Sequence, residues 1–175
     1  MKKLLLTLLV LPLILSSCVE DLLDVTFDYP ISTGFTMTDA VEANVLTMIE
    51  SDVIEVDLVD ELSDRNLGSI SSVKLKSLEV SLGDNADIDW SILKSLEIKM
   101  LLDGDTFTMA HFGENSEIQG EKLLLDVSAD EIRLEDFLDR ETVQIRLFIE
   151  THEGINTEVP LEATAVIAVT ASPVQ

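Results

Sequence analysis

Cys18 is the single cysteine among 175 residues, so its thiol has no partner within the chain for a disulfide. What is left to it is nucleophilic chemistry, and it follows Leu15-Ser16-Ser17, an apolar residue and then two small ones. The two histidines are His111 and His152. A Ser-His-Asp set or a His-based metal site needs further partners at a readable spacing. Neither histidine has them, so the expectation is polar residues at a strand end (His111) and in a turn (His152). Acids cluster as Asp84, Asp87 and Asp89 in one loop and as Asp103 and Asp105 in another. Hard cations want several converging oxygens, and Asp-rich loops can supply them. The first loop lacks the Gly and terminal Glu of an EF-hand, so turn formation and surface charge are expected, with weak calcium binding as the alternative. Paired carboxylates for glycoside hydrolysis occur somewhere in any chain this acidic. Aromatic platforms for a sugar are scarce, however: aromatics are 5% of the residues, with Trp90 and Tyr29 beside six Phe. Trp90, next to Asp89, is expected to plug one end of the fold, and a ligand contact by stacking on a sugar is its other reading.

The segment before Cys18 gives its thiol a specific use. Met1-Lys2-Lys3 is a short positive start, and Leu4 to Leu15 is apolar except for Thr7 and Pro12. That run has the length of a signal-peptide core and is too short to span ~30 Å of hydrocarbon. Leu15-Ser16-Ser17-Cys18 resembles the lipobox of bacterial lipoproteins. The resemblance implies cleavage before Cys18, where small residues let an extended backbone enter a peptidase. It also implies a diacylglycerol on the thiol of Cys18 and an acyl chain such as palmitate on the same residue. Several chains anchor a protein stably where one would be marginal. The expected division is a signal peptide over 1–17, the lipidated cysteine with an acidic tether over 18–23, and one domain over 24–175. Val19-Glu20-Asp21 resembles the surface-export signal of lipoproteins from Bacteroidetes-type bacteria, and a plain soluble linker is the alternative. The expected place is the cell envelope, lipid-anchored at the outer membrane, facing either the periplasm or the outside.

Removing residues 1–17 takes away Lys2 and Lys3 but no acid, leaving 158 residues with 9 basic and 34 acidic side chains, a net charge of −25. Such a surface repels nucleic acid and anionic headgroups, which excludes DNA and RNA as expected partners. The acids are interspersed with apolar residues, which argues for a folded domain over a disordered tail. No second apolar run reaches transmembrane length, so the lipid is the expected attachment to the membrane.

Period-two alternation runs through the rest. Val25, Phe27, Tyr29 and Ile31 point one way and Asp24, Thr26, Asp28 and Pro30 the other, with Pro30 marking an edge or a strand end. Residues 39–50 fit a helical stripe (Val41, Val45, Met48, Ile49) or a loop and strand equally well. Ile54, Val56 and Leu58 form a short strand, after which Asp57 or Asp60 can cap a brief helix ending near Asn66-Leu67-Gly68. Lys76-Ser77-Leu78-Glu79-Val80 recurs as Lys94-Ser95-Leu96-Glu97-Ile98 eighteen residues later. Two copies make no solenoid, and similar environments in a sandwich explain them better. Asp84 to Ile92 is a loop with about one helical turn. Asp103-Gly104-Asp105 turns tightly into Thr106–His111, where Phe107, Met109 and His111 are expected on one face. Leu123, Leu125 and Val127 begin another strand, and 130–139 reads as an acid-flanked helical turn. Val143, Ile145, Leu147 and Ile149 alternate, His152-Glu153-Gly154 turns, and residues 158–171 form a last strand whose small residues suit cover on both faces. Seven or more short strands, with turn signals about every ten residues, predict an all-β fold. The expected architecture is an antiparallel Ig-like β-sandwich with short helical turns.

With the lipobox, the duplicated "LKSLE" strands and the C-terminal "FLDRETVQIRLFIETHE…VPLEATAVIAVTA", the chain resembles uncharacterised β-sandwich lipoproteins of Bacteroidetes-type bacteria. Asp89-Trp90-Ser91-Ile92-Leu93-Lys94-Ser95 matches the "DxxxLKSLEI" strand of that family, and the likeness covers about residues 15–171. It implies a fold and a location, and it supplies no catalytic residues. The expected function is a non-catalytic envelope module that binds a protein or glycan partner or serves as a structural subunit, with no cofactor. A carrier of a hydrophobic ligand between the sheets is the second reading, and a carbohydrate-active enzyme the third.

Overall fold

A computed structural model describes residues 24–37, 40–83, 86, 88–102, 105–128, 140 and 142–174. The signal peptide, Cys18, the acidic tether, Asp84, Asp87, Asp103 and the turn read over 130–139 lie outside the described residues. The strands in chain order are β1 (Val25–Met37), β2 (Thr47–Glu50), β3 (Ile54–Glu55), β4 (Leu67–Leu82), β5 (Leu93–Leu102), β6 (Asp105–His111), β7 (Glu117–Gln119), β8 (Lys122–Leu124), β9 (Asp126–Val127), β10 (Thr142–Val143), β11 (Ile145–Thr151) and β12 (Val159–Pro173). Among the described residues one α-helix, α1 (Leu58–Asp64), and a 3-10 turn at Trp90–Ile92 accompany them. No described helix is long and apolar enough to cross a membrane.

Two five-stranded antiparallel sheets stack face to face, in the orders β1-β12-β4-β8-β7 and β2-β11-β5-β6-β9, and β10 and β3 pair beside them. This is the antiparallel all-β sandwich that the alternation predicts. Its strands are less uniform than expected, since β1, β4 and β12 run to 13, 16 and 15 residues. Phe27, Tyr29, Ile31, Thr33, Phe35 and Met37 face inward along β1, which continues past Pro30. Pro30 sits on an edge strand, and the reason is visible nearby. The Gly34 C=O points off that edge to the Asp52 N–H at 3.0 Å. Pro30, two pairs back, therefore places its donorless nitrogen on the same free side.

The duplicated pentapeptides land in matching places. β4 is the middle strand of one sheet and β5 the middle strand of the other. Leu78 and Val80 in the first copy, and Leu96 and Ile98 in the second, are all buried. The lysine that opens each copy reaches an acid outside, Lys76 to Asp28 and Lys94 to Glu150. Similar residues thus serve similar central positions in opposite layers.

Of the ambiguous residues 39–50, 40–50 form loop and strand. Val41 bridges Ile155, Asn44 takes the left-handed conformation, and β2 pairs with β11. Asp57 stands at the N-cap position of α1, but its side chain makes no capping bond. It accepts a hydrogen bond from the Tyr29 hydroxyl at 2.5 Å instead, while its backbone C=O receives the N–H groups of Asp60 and Glu61. Asn66 at φ 55° ends the helix in the left-handed region that Asn tolerates. Arg65 then lies over the Phe27 ring, 4.5 Å from its centre. Leu123 and Val127 belong to different sheets, the chain crossing from β8 to β9 at the buried Leu125.

Inward side chains of both sheets form one core running from Phe27 to Ala171. β12 departs from its expected cover on both faces. Its inner row from Val159 to Ala171 is buried, whereas Thr164, Val166, Ala168 and Thr170 on the outer row are half-buried. Neighbouring strands in the same sheet shelter these small residues, as the Thr26–Thr170 and Ser32–Thr164 hydroxyl pairs illustrate. Polar groups inside are paired. The Ser51 hydroxyl accepts from the Ile145 N–H and donates to the Asp52 C=O, and among the described residues no buried side-chain N or O lacks a partner.

Candidate functional site

His111 does not share a face with Phe107 and Met109. Phe107 pairs with Met100 and Ala110 with Ile98, both core-facing, while the register between them shifts by one residue at Met109. This bulge reverses the alternation, so that Met109 and Ala110 are buried in succession and His111 turns outward opposite Glu97 and Asp126. Folding then brings Ser116 close to both, a juxtaposition the sequence reading did not foresee. The Ser116 hydroxyl accepts from the Gly113 N–H (3.0 Å) and the Asp126 N–H (3.1 Å) and donates to the backbone C=O of His111 (3.3 Å). Its proton is committed to a carbonyl and not to the imidazole, so this hydroxyl shapes a turn and is not activated as a nucleophile. Gly113 has a steric reason to be glycine, because a Cβ there would stand 2.9 Å from His111 Nε2. His152 is exposed in its turn, and its N–H donates to the Ile92 C=O.

Trp90 lies inside the fold. Its side chain is 4% exposed and its indole N–H donates to the Glu121 C=O at 2.8 Å, which leaves no open ring face for a sugar to stack on. Asp89 caps the turn that places it, accepting the Ser91 N–H at 2.7 Å. Hydrogen bonds from the Ser91 side chain and then its backbone hold the Asp89 carboxyl below the ordinary carboxylate value. Asp105 is exposed at the start of β6. Among the described residues no three His, Cys, Asp or Glu side chains converge as metal ligands do.

Two hollows bear on ligand binding. Between the sheets, Ile31, Thr33, Ile54, Met109, Ile145 and the small Ala163 and Ala165 leave an apolar cavity of about 10 Å³. That is near the size of one water molecule's accessible space. The second is an open groove of about 460 Å³ between the two sheet edges, with Thr36, Met37 and Val41 on one side and Thr47 to Glu50 on the other. Beside it stand exposed apolar side chains: Leu46 is 59% exposed, Met48 47% and Val45 45%. Gly34 permits the close approach of the two edges at one end of this region, since a Cβ there would meet Asp52 Oδ2 at 2.9 Å.

The surface is acidic throughout. Lys76, Lys94, Lys99, Lys122, Arg65 and Arg146 each pair with an acid. Those pairs consume most of the basic residues and leave a large excess of carboxylates. No known family profile matches this chain, and no curated protein is significantly similar to it.

Proposed function

We propose that this protein is a lipid-anchored envelope lipoprotein whose β-sandwich works as a non-catalytic binding or structural module. The observation that carries the location is Leu15-Ser16-Ser17-Cys18 behind a twelve-residue apolar run and a Lys-Lys start. The likeness to Bacteroidetes-type lipoproteins supports an outer-membrane setting. Three features support the module. The space between the sheets is filled by side chains, the Ser-His-Asp juxtaposition noted above has its hydroxyl tied to backbone groups, and three exposed apolar side chains, Val45, Leu46 and Met48, lie together at one sheet edge. A carrier role would require the sheets to part, because a 10 Å³ cavity holds no acyl chain.

The chain from Cys18 to Val25 spans at most about 25 Å. β1 then runs ~40 Å from Val25 to Met37. On this reading the Val25 end of the sandwich stays near the bilayer and the Met37 end, with its groove, faces away.

The test is metabolic labelling with a fatty-acid analogue. The wild-type chain is expected to take up label, and Cys18→Ala to take up none and to appear as uncleaved precursor or released protein. Equal label in both would overturn the assignment.

A further inference from the structure

β2 is an edge strand: β11 pairs with it on one side, and among the described residues no strand pairs with the other. The ladder tells which backbone groups are free. Ser51 N–H donates to the Ile145 C=O at 3.0 Å, which makes Ser51 an inward-bonded position. Inward and outward positions alternate in an antiparallel pair, so Met48 and Glu50 turn their N–H and C=O groups to the open side. Asp52, the next outward position, shows what that side accepts, since its N–H is taken by the Gly34 C=O of β1. Natural edges are blunted by proline, by charged side chains, by bulges or by being very short. β1 carries Pro30; β2 has neither proline, lysine nor bulge, and is guarded against unselective pairing by its four-residue length and by Glu50.

The side chains along this edge define what it fits. Leu46 and Met48 are exposed apolar residues, and Glu42, Glu50 and Asp52 are exposed acids. No Lys, Arg or His occurs between Asp24 and Asp64. Arg146 pairs with Glu50 from the β11 side, so the acidity of the open side is that of Glu42 and Asp52. A second copy of the chain would bring its own carboxylates against these, and like charges opposed across strands repel. We infer that the free edge of β2 is a docking site for an extended segment of a protein partner, bearing Lys or Arg alternately with apolar residues, which adds as a further strand. Main-chain bonds to Met48 and Glu50 supply the pairing, Leu46 and Met48 the apolar contact, and the acids the choice of a cationic segment. The inference rests on the reading of the protein as a binding module and names the chemistry of its partner.

The experiment uses the full-length lipidated protein in detergent and fluorescent peptides of about ten residues, alternating Lys with Val or Glu with Val. The Lys-Val peptide is expected to bind at least ~10-fold more tightly than the Glu-Val peptide and to weaken as salt screens the acids. Met48→Pro removes an outward N–H while sparing the bonds to β11, and is expected to lose ~10-fold or more in affinity at unchanged melting temperature. If that variant fails to fold, Leu46→Lys with Glu42→Lys, confined to exposed side chains, is expected to give the same loss. Equal binding of both peptides, undiminished binding by these variants, or a dimer that the variants abolish would each overturn the inference. Crosslinking in intact envelopes separates the two claims. A partner captured equally by wild type and Met48→Pro would keep the module and remove the β2 site, and no partner for either, with peptide binding intact, would do the reverse.

Discussion

Tyr29 is the single tyrosine of the chain and shows how one side chain ties a strand to a helix. Its hydroxyl donates to Asp57 Oδ1 and accepts the Asp57 N–H, fixing the start of α1 against β1. Burial first, and then the hydrogen bond to the Asp57 side chain, push its pKa from 10.0 up to about 12. A folded-state pKa raised above the unfolded value means stability that is fully present below pH 10 and lost as pH climbs from 10 through 12. Near-ultraviolet phenolate absorbance reports Tyr29 alone. It is expected to titrate near 12 in the native protein and near 10 in denaturant. Asp57→Asn should lower the native midpoint but leave it above 10, because burial remains the larger cause. A native midpoint at 10 would show that the hydroxyl is not held as described.

At the scale of elements, the paired strands β4 and β5 invite a matched comparison. Leu78 and Leu96 hold the same place in the two pentapeptides, and each is 1% exposed. Truncating either to Ala removes a full buried side chain and is expected to cost about 2–5 kcal/mol. The lysines that open the copies make exposed pairs, so Lys76→Ala and Lys94→Ala should each cost less than ~1 kcal/mol. Urea unfolding of the four variants checks both halves. A Leu96→Ala cost as small as that of Lys94→Ala would deny β5 its central position. The equivalence of the copies was legible in the sequence, since a strand flanked on both sides needs a strict apolar row. Their assignment to opposite sheets was not, because it depends on neighbours from remote segments: β12 and β8 for β4, and β11 for β5 on the side away from its hairpin partner β6.

For the whole molecule the dominant long-range force is self-repulsion among 34 acids faced by few bases. Exposed charges are screened over a Debye length that shrinks from about 30 Å at 0.01 M salt to about 3 Å at 1 M. The melting temperature is therefore expected to rise with sodium chloride across that range. Calcium should add only a small shift beyond magnesium at equal ionic strength. A large rise at micromolar calcium, lost in Asp87→Ala or Asp103→Ala, would assign those loops a real cation site, since a ligand selective for the folded state stabilises it by mass action. Differential scanning calorimetry distinguishes the outcomes.

Composition and local order alone determined the fold class, the acidity and the facing of most strand residues. Alternation is a property of neighbours two apart, and a sheet with one wet face needs nothing more remote to sort its side chains. That Pro30 marks an edge or a strand end was legible for the same reason, being a local lack of a donor, and the pairing of β1 with β12 alone made it an edge among the described residues. Other features depended on residues far along the chain. The bulge at Met109 that turns His111 outward is a register shift of β6 against β5, and a one-residue shift is invisible to a pattern of period two. The partner of the Trp90 indole N–H is the Glu121 carbonyl, thirty-one positions on. The ambiguity of residues 40–50 closed when β11, about a hundred residues later, took β2 as its neighbour, with no other strand beside β2 among the described residues. Tertiary structure alone could decide an edge, because an edge is defined by which strand is not there beside it.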